Sequence, residues 1–151
     1  MLKFRRITAL FSFLLLSTLV TSCGCGDKKE QLAADEKKLT ENFKKHFTPQ
    51  QWDIMKKHLQ EDAKNESPAE LEESIKNFEG LIETLKLLKS TPVAEQRAIV
   101  EKMSKDFSSS FTLPGFSFED LNHAKRFFSD LIALLKNFKS QAELKKGGEK
   151  K

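Results

Sequence analysis

The sequence predicts an all-α fold, a small helical bundle of about four to five helices. Three observations predict it. Apolar residues recur at spacings of three and four along most of the chain beyond residue 30, the period of one buried helix face. Ser-Pro or Thr-Pro punctuates that pattern at Thr48-Pro49, Ser67-Pro68 and Thr91-Pro92, where proline suits a first helical turn and not a helix interior. No segment alternates apolar and polar residues for long enough to read as a strand.

The chain opens with a cationic start, Lys3, Arg5 and Arg6. An apolar run over residues 7–20 follows, broken only by Ser and Thr. It is short for a membrane-spanning helix, which takes about 20 residues. Thr21 and Ser22 then supply small residues ahead of Cys23. Charge, short apolar core and small residues at the cut are the parts of a signal peptide. Val20-Thr21-Ser22-Cys23 resembles the lipid-attachment box of bacterial lipoproteins: a branched apolar residue, two small residues, then the cysteine that is lipidated. The resemblance implies residues 1–22 as a cleaved lipoprotein signal peptide, acyl chains on Cys23, the membrane as a partner, and a place in the bacterial cell envelope. Each buried methylene contributes about 0.8 kcal/mol, so firm anchoring takes more than one chain. Gly24, in place of an aspartate, implies the outer membrane over the inner one in a Gram-negative host. An ordinary secretory signal cut near Ser22 and an uncleaved anchor are the alternatives. Cys25 is a poorer acceptor, because Ser22-Cys23-Gly24 before it lacks the branched residue.

Residues 23–31 read as a lipidated N-terminus and polar tether, residues 32–144 as the helical domain, and residues 145–151 as a basic flexible tail. The first helix is expected over about 28–46, with Leu32, Leu39, Phe43 and Phe47 on a thin stripe that packs only through its C-terminal turns. At Thr48-Pro49-Gln50-Gln51 the threonine can cap, the proline suits the first helical position, and Gln51 completes a capping box. Phe47 and Trp52 are spaced as a hydrophobic staple across that start. This opens a second helix over about 49–65 through Trp52, Met55, Leu59 and Ala63. Ser67 and Glu70 repeat the box and open a third over about 68–89; Thr91 repeats its first half and opens a fourth over about 92–107. Ser117-Phe118-Glu119-Asp120 opens a fifth over about 118–143. The third and fifth carry apolar residues beyond one stripe (Leu81 and Leu87; Phe127, Ile132 and Leu134) and are expected to be the central pair.

Between the fourth and fifth helices, Phe111, Leu113 and Phe116 lie in the most aromatic stretch of the mature chain. Such a loop either caps one end of the bundle and buries its rings or presents an apolar patch to a partner protein or lipid. As the second reading it is the candidate partner-contact loop.

Composition and motifs yield no catalytic residue, no metal ligand set and no cofactor site. Removing Lys3, Arg5 and Arg6 from 26 basic residues leaves 23 against 22 acidic ones, a mature net charge of +1, which gives no footing for a nucleic-acid partner. His46, His58 and His123 share no short helical spacing, and each reads as a structural or surface histidine. No glycine-rich phosphate loop is present, and Ser108-Ser109-Ser110 lacks the strand-turn-helix context of a nucleophile. The expected protein is therefore not an enzyme. It reads as a membrane-anchored lipoprotein whose helical domain binds a protein partner in the envelope or at the surface. A structural envelope-maintenance role and a carrier of an apolar ligand in the bundle interior are the rival readings.

Overall fold

The computed structural model describes residues 25–148. Residues 1–24, which include the expected signal peptide and Cys23, and residues 149–151 lie outside the described residues. The described chain forms five α-helices: α1 (Cys25–Lys44), α2 (Pro49–Asn65), α3 (Pro68–Leu87), α4 (Val93–Phe111) and α5 (Leu121–Gly148). A 3-10 turn, Leu88–Ser90, joins α3 to α4, and no strand occurs among the described residues.

Two of the helix starts follow local chemistry. The Thr48 hydroxyl accepts from the Gln51 N–H, and the Gln51 side chain accepts from the Thr48 N–H in return. Ser67 and Glu70 make the same reciprocal pair at α3. Each box satisfies two backbone donors that the first turn leaves open. Phe47 meets Trp52 with ring centroids 6.0 Å apart, as the staple requires. The α4 start differs from expectation. Its N-cap is Pro92, without a side-chain cap, because the Thr91 hydroxyl turns back to donate to the Leu88 carbonyl. At α5 the capping group is Asp120, whose carboxylate accepts from the His123 N–H at 2.6 Å, so the helix begins three residues later than Ser117 implied.

α5 is the axis of the bundle. Ala124, Phe127, Phe128, Leu131, Leu134 and Leu135 are all buried on it, which is more than one face can hold. α1 and α3 lie antiparallel to it. Phe43 packs on Phe127 near the end of α1, while the Leu32 carbonyl accepts from Asn137 near its start. On the other flank, Glu72 pairs with Lys139 and Glu79 with Lys136. α3 is not a second axis. It buries Leu71, Ile75 and Leu85 on one stripe, and Leu87 stands 75% exposed because two residues of helix rotate it away from Leu85.

Both ends of the domain extend further than the composition implied. α1 reaches back to Cys25, so most of the expected tether is helical. Asp27 in its first turn complements the helix dipole, and Gln141 donates to Glu36, so the polar half of α1 docks on α5 through hydrogen bonds that a hydrophobic count does not register. α5 continues to Gly148 and takes Lys145 and Lys146 out of the expected flexible tail; cations in a last helical turn favour the dipole.

α4 runs on to Phe111 and is closed by Thr112 in the left-handed region at φ 53°. A β-branched residue is strained there. Thr112→Gly is expected to stabilise the domain by about 0.5–1 kcal/mol, read as a higher denaturation midpoint in urea.

Candidate functional site

The loop between α4 and α5 is an inward-facing plug. Leu113 is 1% exposed and Phe116 6%; Phe111 is half-buried and belongs to α4. Of the candidate partner-contact residues, Leu113 and Phe116 are thus core, and Phe111 is half-buried at the edge of the same cluster. The physical cause is a tight turn. The Phe116 N–H donates to the Leu113 carbonyl across Pro114-Gly115, and Gly115 supplies the positive φ (69°) that such a turn needs. Gln51 holds the Pro114 carbonyl from α2, and Ser108 holds the Leu113 carbonyl from α4. The Ser104 hydroxyl, buried within α4, accepts the Phe118 N–H at 2.8 Å. With the loop fixed this way, Phe116 and Phe118 pack edge to face 5.1 Å apart and both rest on Phe127. Phe111→Ala is expected to cost about 1–2 kcal/mol by chemical denaturation, since its ring fills only the edge of this cluster against Phe107 and His58.

The histidines are where the structure adds most. His46 lies in the turn after α1 and His123 in the first turn of α5, and folding stacks their rings at 5.3 Å. His46 Nδ1 lies 3.1 Å from His123 Nε2, and His46 Nε2 lies 2.8 Å from Asp130 Oδ2. The Glu119 backbone N–H donates to His123 Nδ1 at 3.1 Å. That last contact orders the whole chain. A backbone N–H can only donate, so His123 Nδ1 accepts and the neutral ring carries its proton on Nε2. His123 Nε2–H then donates to His46 Nδ1, and His46 Nε2–H donates to Asp130. Burial, and secondarily His46, hold His123 below the usual imidazole range.

Every ring nitrogen of the pair is engaged, so neither ring offers a lone pair to a substrate or a metal ion. The arrangement cross-links the end of α1, the loop and the start of α5. Among the described residues no group of three or more His, Cys, Asp or Glu side chains is placed to hold a metal ion. His58 faces elsewhere and donates through Nε2 to the Phe111 carbonyl at 3.2 Å, closing the last turn of α4.

A second group of polar side chains sits in α2. Asp62 is 5% exposed, and its Oδ1 has no hydrogen-bond partner; Glu66 Oε2, one turn later, is also buried without one. Burial, with Glu66 and Glu61 adding repulsion, pushes the Asp62 carboxyl up to about 8. Burial and Glu70 raise Glu66 as well. Asp62 is therefore largely protonated at neutral pH.

No sequence signal could have found the histidine chain, because its members lie 77 and 84 residues apart. Asp62 carries a weak signal: it lies three residues after Leu59 and seven after Met55, on the buried stripe of α2. Surface grooves occur along the bundle, among them one between α1 and α5 edged by Lys28, Asp35 and Glu143. Among the described residues no helix is long and apolar enough to cross a membrane. No family model matches the chain, and neither a curated protein nor a solved structure matches it.

Proposed function

We propose that this chain is a membrane-anchored bacterial lipoprotein whose helical domain serves as a non-catalytic interaction module of the cell envelope or surface. The observation that carries the reading is the Val20-Thr21-Ser22-Cys23 box set directly before α1, which reaches back to Cys25. In sequence, only Gly24 then separates the proposed lipid-bearing residue from the helix. The 20 residues of α1 carry the chain about 30 Å. With α5 antiparallel to α1, the end away from the anchor holds the histidine pair and the α3–α4 connection. Leu87 and Val93, 75% and 71% exposed, flank that connection and are the apolar side chains a partner protein would meet there.

The engagement of His46 and His123 on all their nitrogens supports a non-catalytic role. The rings packed in contact around Phe127 weigh against the carrier reading, since they fill the space an apolar ligand would need.

Intact mass of the protein from its native host, with Cys23→Ala beside it, tests the reading. A diacyl or triacyl mass that the variant loses, with loss of membrane partition, is the expected result. An unlipidated native mass overturns it. Protease treatment of whole cells then directs the partner search: cleavage points outside the cell, protection points to the periplasm.

A further inference from the structure

We propose that His46 and His123 form an acid-sensitive latch between the end of α1 and the junction of the loop with α5, loosened when the pair takes up a proton. The argument rests on the direction of the hydrogen-bond chain. Glu119 N–H, His123, His46 and Asp130 form one donor-to-acceptor sequence in which each nitrogen already has its role. An added proton has only two places to go. On His123 Nδ1 it meets the Glu119 N–H, so two donors oppose each other. On His46 Nδ1 it meets His123 Nε2–H, unless His123 moves its own proton to Nδ1, which again opposes the Glu119 N–H. Either route breaks a link of the chain, and the Glu119 link is the one both routes can sacrifice.

The surrounding charges allow the uptake. The Asp130 carboxylate faces the pair from α5, 2.8 Å from His46 Nε2. Glu119 and Asp120, on the loop and at the α5 cap, favour a cation at His123, while Arg126 on α5 opposes it. The desolvated site holds His123 neutral under ordinary conditions, so the latch is closed near neutral pH. Loss of one such hydrogen bond changes a local opening equilibrium about tenfold. That is enough to loosen the junction and too little to expel Phe116 and Phe118, which stay held by the core and by the Ser104 contact. The latch is independent of the lipid anchor and would operate in any compartment that acidifies.

Hydrogen exchange of the full mature chain in detergent micelles, at pH 7.5 and 5.5 and corrected for intrinsic rates, tests it. Protection of the Glu119 and His123 amides is expected to fall about tenfold at the lower pH, while the Phe118 amide, held by Ser104, and the core amides of α3 show no fall. In His123→Gln that pH dependence should vanish. Unchanged protection in the native chain, or the same loss in His123→Gln, overturns the latch. Should that variant not fold, nitrogen NMR of the native chain over the same pH range decides: loss of Glu119 amide protection must accompany protonation of His123, and either one without the other overturns the proposal. Nitrogen NMR of the rings adds a direct check, since His123 must show protonated Nε2 and bare Nδ1 in the closed form.

Discussion

Phe127→Ala is expected to destabilise the domain by about 3–5 kcal/mol, a drop in melting temperature of roughly 10–20 °C. Phe127 is 0% exposed and sits where four parts of the chain converge. Its ring meets Phe43 from α1 at 4.9 Å, Phe107 from α4 at 5.0 Å, Phe118 from the loop at 5.1 Å and its neighbour Phe128 at 5.3 Å. Removing the ring leaves a cavity that no single neighbour can close, because Phe43, Phe107 and Phe118 belong to different elements, each held by its own backbone bonds. The loop depends on it too, since Phe116 and Phe118 both rest on that ring. Phe78→Ala is the matched control. Phe78 is half-buried and stacks on Phe128 at the edge of the cluster, so its loss should cost clearly less. Equal losses for the two variants in urea denaturation would show that no aromatic centre exists at Phe127.

Asp62→Asn is expected to act in the opposite direction and stabilise the protein by about 2–5 kcal/mol at pH 8. The Asp62 carboxyl titrates at about 8 in the fold and at its ordinary 3.8 when unfolded. A carboxyl raised in this way contributes stability fully below pH 3.8 and loses it as pH climbs through 8, so ionisation penalises the native state increasingly across that window. The native protein should therefore gain stability on acidification from pH 8 towards 5, and the asparagine variant should lose that gain. His123 works the other way. Its depressed value means that its contribution is present above 6.5 and is lost as the pH falls through the folded value. The two groups together predict a stability maximum on the acidic side of neutral, which Asp62→Asn shifts towards higher pH. Melting temperatures of both proteins from pH 4 to 9 give the comparison. Coincident curves would mean that Asp62 is not buried in solution.

A buried acid without a partner for Oδ1 costs the fold something, and α2 is where that cost falls. Nothing in the structure explains why Asp62 is retained in place of an apolar residue. Its effect on pH dependence is nevertheless separable from that of the histidine latch. Asp62 alters the stability of the whole fold, whereas the latch alters one junction.

What the sequence determined by itself is local. The Thr48–Gln51 and Ser67–Glu70 boxes placed the starts of α2 and α3 to the residue, because the capping groups and the backbone they satisfy lie within four positions. The spacing along α5 identified it as central, since Phe127 and Leu134 fall outside the main stripe and must be covered by other helices. Tertiary structure decided the rest. Thr91 looked like a cap and became a donor to Leu88, and Ser117 gave way to Asp120, because the packing of α4 and the loop fixed which polar group reached which backbone atom. Leu113 and Phe116 could be read as surface or core until the Pro114-Gly115 turn carried them inward, Phe116 onto Phe127, while Phe111 stays half-buried at the end of α4. His46, His123 and Asp130 meet only through the antiparallel docking of α1 on α5, across 77 and 84 residues. A hydrogen bond between distant residues leaves no periodicity in the chain, whereas a cap or an apolar stripe does, and that difference in range separates what could be read from what had to be folded.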